Sequence, residues 1–408
     1  MPICKINEKY QWLKCKIPPT ELDSEGFCIL HSPNSNKNQN EFNEIVKIKL
    51  DNEDYDFSYV SFPGNFILKD VIFSDRASFI KSTFYRKADF DKLTFKGEAD
   101  FCGVTFLGES SFDFIEFQGK VTFESAVFSG KAFFFGNDFL NDAIFELAIF
   151  EKESIIEGCD FSGELGFFGA KILNELFFLS INRPDKPFRA SFSSLALVEK
   201  GLLKFEGVSL NNVNFIGTDL KRLEFHNVNW CRLKGRNVVY DEILLRKLKG
   251  KRLSDGYPGV EKLYRQLKLN YEREGDFIKS GDFHYGEMEM HRRASKWRWF
   301  PFYWYNLYKV LSGYGERPSW ALGWLAGFLL ALPLLVWGFG LDKVAGGTSP
   351  GFLETFTYIF EKATFQRPSP LSNLNFLGSF ISNLSLLIIP GQAALFLLAL
   401  RNRLGRRR

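Results

Sequence analysis

The stretch ADFDKLTFKGE-ADFCGVTFLGE-SSFDFIEFQGK-VTFESAVFSGK, residues 88–131, repeats every eleven residues and carries two aromatic residues per repeat. One series of apolar residues at this interval runs from Phe79 to Phe178, and a second series follows five residues behind it, from Phe84 to Phe161. Spacings of five and six residues therefore alternate, which fits neither the period of a helix nor that of a strand. A fixed short period predicts a solenoid, in which each turn buries its apolar residues against its neighbours.

Further along the chain the interval shortens to a strict five residues. This part of the series consists of Phe205, Leu210, Phe215, Leu220, Phe225 and Trp230. A glycine often stands two residues after the second aromatic residue, as at Gly97 and Gly108, and predicts a tight corner that needs a permissive backbone. At about 22 residues per coil and about 4.8 Å between coils, residues 57–230 would form roughly eight coils and a rod of roughly 38 Å.

The central aromatic residue is often preceded by a small residue and an acidic one. This pattern occurs as Ala88-Asp89-Phe90, Ala99-Asp100-Phe101 and Cys159-Asp160-Phe161. It resembles the pentapeptide-repeat family, although the six-residue sides depart from that family's strict five. The resemblance implies a right-handed quadrilateral β-helix with the central residues stacked inside, and we assign residues 51–235 to it.

The net charge of the predicted rod does not decide its function. Residues 79–178 contain 17 Asp and Glu against 9 Lys and Arg, a balance of −8. Some pentapeptide-repeat proteins are acidic rods that mimic DNA and bind topoisomerases, which the balance permits. A solvated acidic surface on a scaffold or sensor accounts for the same charge. The ladder phenylalanines are core residues in either interpretation.

Four residues in the N-terminal segment 1–50 have ligand chemistry. Cys4, Cys15, Cys28 and His31 follow the spacing C-x10-C-x12-C-x2-H. The closing Cys-x2-His pair can hold one tetrahedral ion, and the two earlier cysteines would complete a Cys3His structural zinc site. Unrelated residues in an unstructured terminus are the alternative. Six cysteines dispersed over the chain argue against a disulfide framework. A short helix is predicted at 41–50.

The segment 236–312 predicts a helical connector. Val260, Leu263, Tyr264, Leu267 and Tyr271 recur at helical spacing, and Gly275-Asp276 predicts a turn into a returning helix. The segment resembles a block that follows the repeats in membrane-bound pentapeptide-repeat proteins. The matching stretches are Tyr264-Arg265-Gln266-Leu267, Gly281-Asp282-Phe283, Glu287-Met288-Glu289-Met290 and the later Gly313-Tyr314-Gly315-Glu316-Arg317-Pro318.

The segment 313–408 contains two uncharged apolar stretches, 321–341 and 376–400. Each is long enough to span a bilayer, whereas a buried hairpin of a soluble protein is the alternative. Aromatic and basic residues precede the first stretch, and 401–408 is strongly basic. With no signal peptide, the positive-inside rule predicts a multi-pass protein of the cytoplasmic (inner) membrane with both termini in the cytosol.

Between the two stretches, 351–366 is amphipathic. This arrangement resembles two-span channel subunits, which have a re-entrant helix between the spans and surround one pore. The resemblance implies a homo-oligomer, with a tetramer favoured by analogy, but the potassium filter T-V-G-Y-G is missing from the linker. Polar residues in the second stretch are pore-lining candidates or helix-packing contacts. They are Ser379, Ser382, Asn383 and Gln392.

No motif of an enzyme is present: the chain lacks G-x-S-x-G, a phosphate loop and HExxH. The combined features predict a homo-oligomeric membrane effector or ion channel whose cytosolic β-helix and connector sense a ligand or partner. The architecture looks like that of toxic membrane effectors in bacterial anti-phage defence, which implies a nucleotide or short oligonucleotide as trigger. The alternative is a membrane-anchored, non-conducting scaffold that presents the β-helix to protein partners.

Overall fold

The structure, a computed structural model, describes residues 4–9, 15, 22–182, 187–248, 256–300, 303–342, 350–368, 371 and 373–404. The chain divides into two compact units, Met1–Gln266 and Leu267–Arg408. The domain boundaries at residues 50, 235 and 312 stay predictions. Residues 405–408 of the basic C-terminal run lie outside the described residues.

Four parallel sheets form the sides of a solenoid in the first unit. The first side contains β1 (Ser61–Phe62), β5 (Thr83–Phe84), β9 (Thr105–Phe106), β13 (Val127–Phe128), β17 (Ile149–Phe150), β21 (Lys171–Ile172) and β24 (Ala196–Leu197). The second contains β2 (Phe66–Lys69), β6 (Ala88–Asp91), β10 (Ser110–Asp113), β14 (Ala132–Phe135), β18 (Ser154–Glu157), β22 (Glu175–Leu179), β25 (Leu202–Glu206) and β27 (Leu223–His226). The third contains β3 (Ile72–Phe73), β7 (Thr94–Phe95), β11 (Glu116–Phe117), β15 (Asp138–Phe139) and β19 (Asp160–Phe161). The fourth contains β4 (Ala77–Ser78), β8 (Ala99–Asp100), β12 (Val121–Thr122), β16 (Ala143–Ile144), β20 (Glu164–Gly166), β23 (Arg189–Ser191) and β26 (Asn212–Asn214).

The strand register confirms the 22-residue coil. Ser110 of β10 pairs with Ala132 of the next coil, and Phe112 stacks on Phe134 with 4.8 Å between ring centroids. In the last coil Phe205 pairs with Phe225, twenty residues on, which matches the strict five-residue interval there. The solenoid has about seven turns, one fewer than the sequence estimate. Every ring of the two phenylalanine series is buried, so the ladder is core, as expected.

A helix covers the N-terminal end of the solenoid. Helix α1 spans Lys5–Lys9 and helix α2 spans Gln39–Asp51, slightly longer than the predicted 41–50. The buried ring of Phe42 lies edge-on to Phe62 in the first coil, with ring centroids 5.5 Å apart. This contact removes the first coil's apolar end from water, which an uncapped solenoid would expose.

Two buried acidic side chains close the other end. A hairpin of β28 (Cys231–Leu233) and β29 (Arg236–Val238) leads into α3 (Tyr240–Lys247). The carboxylate of Asp241, fully buried, accepts hydrogen bonds from the backbone N–H groups of Phe215 (3.1 Å) and Ile216 (2.9 Å). Its neighbour Glu242 is also fully buried and lies 2.6 Å from the guanidinium of Arg236. The N–H groups of Phe215 and Ile216 in the last coil are thereby satisfied.

Helix α4 (Gly256–Glu274) begins in the first unit and supplies three more polar contacts at this end. The Tyr264 hydroxyl donates a hydrogen bond to Glu242. The amide of Gln266 accepts from the N–H of Leu220 (2.9 Å) and donates to Asp219 (2.7 Å). The stretch Tyr264-Arg265-Gln266-Leu267, which carries part of the family resemblance, therefore contributes a tyrosine and a glutamine to the solenoid cap.

The corner glycines are required for a reason that the sequence did not reveal. Gly97 and Gly130 do not have a positive φ, whereas Lys81, Lys92 and Phe114 do. A Cβ on Gly130 would lie 2.1 Å from the carbonyl oxygen of the glycine one coil earlier. The expectation of a permissive backbone was wrong here, because the constraint is close approach between successive coils.

The second unit is helical. It contains the end of α4, then α5 (Phe277–Ala294), a 3-10 turn (Lys296–Trp299), α6 (Trp304–Ser312), α7 (Pro318–Phe339), α8 (Phe352–Ala363) and α9 (Phe376–Leu404). Tyr271 stacks on Phe283 across the turn at Gly275, which confirms the predicted helical hairpin. Helices α7 and α9 are long and apolar enough to span a membrane. Helix α8 lies within the predicted amphipathic segment 351–366 and packs between them through Ile359.

At one point the backbone of α9 comes directly against the backbone at the end of α7, and the residue on each side is a glycine. The Cβ of an alanine at Gly378 would lie 2.1 Å from the carbonyl oxygen of Gly340. Small residues allow such close backbone approach between apolar helices, and here they fix where α9 crosses the end of α7.

In the solenoid, Gly130→Ala should lower the free energy of unfolding by about 1–3 kcal/mol, because its Cβ collides with backbone that cannot move alone. The matched control is Gly166→Ala in β20, whose Cβ meets only two side-chain atoms of Glu146, at 3.6 and 3.8 Å. It should change stability by no more than about 1 kcal/mol. Thermal unfolding followed by circular dichroism compares the two, and equal losses would contradict the close-approach argument.

In the helical unit, Gly378→Ala should lower the midpoint of thermal unfolding in detergent, since it forces α7 and α9 apart. Gly391→Ala, in the same helix with no atom within 4 Å of its Cβ, is the control. A lower midpoint for the control than for Gly378→Ala would contradict the assigned crossing.

Candidate functional site

The four predicted ligand residues come together around a tight turn. Asp23 accepts hydrogen bonds from the N–H groups of Glu25 and Phe27, both at 2.9 Å, and Gly26 takes a φ of +87°. This turn positions Cys28. The next turn, in which the N–H of His31 bonds to the carbonyl of Cys28, positions His31. Cys4 lies directly before α1, and the N–H after it bonds to the carbonyl of Gly26.

The geometry fits one tetrahedral ion. The ligand atoms of Cys4, Cys15, Cys28 and His31 all lie within 4.8 Å of one another. Cys15 Sγ is 3.6 Å from Cys28 Sγ, and Cys28 Sγ is 3.0 Å from His31 Nδ1. A tetrahedral ion with metal–sulfur bonds of about 2.3 Å places two sulfurs about 3.8 Å apart. The cluster could therefore hold a metal ion with only small movements of the side chains.

The surroundings suit anionic sulfur ligands. Cys28 is fully buried and Cys4 is 3% exposed, so the centre is closed to solvent on most sides. The backbone N–H of Cys28 donates to Cys4 Sγ over 3.3 Å. The side-chain nitrogen of Lys37 donates to the carbonyls of Leu30 and Ser32 at 3.1 Å, which holds it beside the knuckle, and burial lowers the pKa of Lys37 to about 7. Four protein ligands leave no open coordination position, so the site suits a structural role rather than catalysis.

Two of the four pore-lining candidates come together in α9. Ser382 is buried and Asn383 is exposed, and the ammonium of Lys362 donates to both, at 2.9 Å to Ser382 Oγ and 2.8 Å to Asn383 Oδ1. Ser379 lies one turn earlier and accepts from the Ser382 hydroxyl through its carbonyl, at 3.0 Å. The sequence did not single out Lys362, because one lysine in a linker carries no spacing signal.

Gln392, the fourth candidate, has different surroundings. It is buried, and its Nε2 donates to the carbonyls of Leu311 (3.0 Å) and Ala321 (2.9 Å). These bonds tie α9 to the end of α6 and the start of α7, which is the helix-packing role. The Oε1 of Gln392 is buried without a partner among the described residues. Whether any of the four lines a pore stays a prediction.

A buried carboxylate organises the base of the helical unit. Glu289 accepts hydrogen bonds from Arg292 (2.9 Å), Arg293 (2.8 Å), Lys309 (3.0 Å) and the hydroxyl of Tyr314 (3.1 Å). Burial alone would raise the pKa of Glu289, but the bonds and charges of Arg292 and Lys309 hold it well below its usual range. The carboxylate therefore stays ionised and joins α5, α6 and the turn before α7.

The contacts of Glu289 join separate stretches that carry the predicted family resemblance. Glu289 belongs to the Glu-Met-Glu-Met block, and Tyr314 belongs to the Gly-Tyr-Gly block. Asn402, near the end of α9, donates to the carbonyl of Gly315 over 3.0 Å. These two blocks and the end of α9, more than 100 residues apart along the chain at their extremes, thus converge on one turn. Their shared role here is structural.

Comparisons with protein-family models, with curated proteins and with solved structures find no match to this chain.

Removal of metal tests the N-terminal cluster. The purified chain should carry one equivalent of a transition metal, and Cys28→Ser should lose it and lower the unfolding midpoint, because the thirty-residue segment has little core of its own. Cys102→Ser, a solenoid cysteine outside the cluster, should keep the metal. Elemental analysis by mass spectrometry measures the content. A wild-type chain purified without chelators and free of metal would contradict the assignment.

Proposed function

We propose that this chain is a pentapeptide-repeat protein with a C-terminal two-span membrane domain, and that it acts as a homo-oligomeric ion-conducting effector. The solenoid, about seven turns of parallel strands stacked every 20 to 22 residues over most of its length, supports the family assignment. Helices α7 and α9 are the proposed spans, with α8 as the helix between them.

Exposed apolar side chains favour the membrane over a soluble hairpin. In α9, Leu387 is 74% exposed and Phe380 is 57% exposed, and in α7 Phe339 is 69% exposed. A core helix of a soluble protein would bury such residues, whereas lipid or a neighbouring copy covers them in a membrane assembly. The aromatic residues Trp297 and Trp299, 66% and 82% exposed, suit the interface before the first span.

The observation that carries conduction is the polar cluster on α9. Asn383 is exposed and Ser382 borders it, within a helix that has no charged residue before Arg401. A lysine reaches both. Polar and charged groups inside a membrane segment usually face a water-filled path or another helix. In a ring of copies, one such cluster per subunit would line a shared path.

We further propose that zinc fills the N-terminal cluster. Three thiolates and one imidazole are the ligands of structural zinc sites, and soft sulfur ligands disfavour magnesium or calcium. In the proposed topology the N-terminal segment, the solenoid and the helical hairpin are cytosolic, where a nucleotide, a short oligonucleotide or a protein partner acts as the trigger. Pore opening on that signal would depolarise a bacterial cell under phage attack.

A non-conducting scaffold is the second candidate. Large apolar side chains stand on the outer surface of the solenoid, among them Phe114 (63% exposed), Leu147 (50%) and Phe168 (49%). Exposed apolar residues on a rigid rod favour binding of another protein. The scaffold and the effector both use the rod, and only the effector requires ion flux.

Ion flux from liposomes tests the proposal. Wild-type protein, with a bacterial small-molecule extract as the source of trigger, should release trapped ions. Asn383→Leu should reduce the flux severalfold, because it removes the exposed polar group on α9. Leu387→Ile, one turn away on the exposed apolar surface, is the matched control and should conduct normally. Size-exclusion chromatography checks that assembly is unchanged. Inserted, assembled protein that never conducts would support the scaffold.

A further inference from the structure

One charged side chain reaches the polar face of α9. Lys362 lies in the last turn of α8, and its ammonium donates to Ser382 Oγ at 2.9 Å and Asn383 Oδ1 at 2.8 Å. It also lies 5.5 Å from the ring centroid of Tyr358, one turn back on the same helix. Three neutral groups therefore hold this cation in a fixed place.

The position is deep within the helical segment. Asn383 stands seven residues after the start of α9 at Phe376, which is about 10 Å along the helix axis at about 1.5 Å per residue. Helix α8 is packed at this level by Ile359 against Leu332 and Val336 of α7. A cation at that depth is costly in lipid and persists where it is solvated or functional.

The carboxylates near Lys362 do not neutralise it. Within the described parts of α8 and α9, no carboxylate forms an ion pair with its ammonium. Glu354, at the start of α8, accepts a hydrogen bond from the N–H of Gly351 over 3.2 Å. Glu361 precedes Lys362, and in the described part of the chain its carboxylate forms no hydrogen bond with Ser382 or Asn383. The group that faces the polar residues of α9 is thus a cation with only neutral partners.

We infer that the conduction path carries small inorganic anions and that Lys362 determines this selectivity. The inference rests on the proposed function, since it requires copies of the chain to surround one path. Each copy would add one ammonium to the path. Two of its three N–H groups donate to Ser382 and Asn383, and because both partners are neutral, its positive charge remains to attract a passing anion. Rings of lysine or arginine select anions, whereas rings of Asp or Glu select cations.

Liposomes loaded with potassium chloride and suspended in sodium nitrate test this, because each released ion then exchanges for an external ion of the same sign and charge stays balanced. Chloride and potassium release are recorded separately, with the bacterial extract added as before. Wild-type protein should release chloride faster than potassium. Lys362→Gln should abolish the preference, Lys362→Glu should reverse it, and Lys362→Arg should retain it because the charge remains. Glu361→Gln is the matched control and should keep the anion preference, since it changes the neighbouring charge by one unit without touching α9.

Potassium release that exceeds chloride release in the wild type would overturn the inference and leave the proposed conduction standing. An unchanged ratio of chloride to potassium release in Lys362→Gln would overturn the role of Lys362 in selectivity and would also leave the proposed conduction standing. Absence of both fluxes from inserted, assembled wild-type protein would overturn the proposed function and the inference together. Circular dichroism and size-exclusion profiles confirm that each variant compared is folded, and Lys362→Gln and Lys362→Arg, which alter few atoms, decide the question if Lys362→Glu does not fold.

Discussion

Face-to-face stacking of phenylalanine rings sets the geometry of the first unit. Phe79, Phe101 and Phe123 lie in one column with 4.8 Å between successive ring centroids, the distance that also separates hydrogen-bonded strands. Ring stacking and backbone pairing therefore share one period, and neither strains the other. Each stacked pair adds about 1 kcal/mol beyond burial. Because the stack has open ends, α2 and the buried charges at α3 are needed to close it.

The helical unit is organised differently, through polar contacts inside apolar surroundings. Glu289 fixes α5, α6 and the turn before α7, while Gln392 ties α9 to backbone carbonyls of α6 and α7. These bonds hold α9 in one rotation about its axis. In that orientation Asn383 is exposed and accepts the hydrogen bond from Lys362 of α8. The proposed conduction path thus depends on contacts at some distance from it along α9.

The sequence predicted the features that depend on side-chain type and on the spacing of residues. The solenoid followed from the phenylalanine intervals, and the cluster of Cys4, Cys15, Cys28 and His31 followed from a closing Cys-x2-His pair with two cysteines before it in one short segment. What it could not predict depends on contacts between distant backbone atoms. The collision that forbids a side chain at Gly130 involves the preceding coil, and the partners of Gln392 are carbonyls, which every residue has. The role of Lys362 could not be predicted, because its contact with Ser382 depends on how α8 packs beside α9.

Accessibility of α9 to water in the assembled protein tests the account most directly. Asn383→Cys and Leu384→Cys, whose side chains leave the helix about 100° apart at the same depth, would each be reacted with a charged, membrane-impermeant thiol reagent in liposomes containing the assembled protein and the bacterial extract. The signal of the unsubstituted chain, which has six cysteines of its own, is subtracted. The account predicts labelling of Asn383→Cys and protection of Leu384→Cys, because the first faces the ion path and the second faces lipid. Protection of Asn383→Cys, or equal labelling of both, would contradict it.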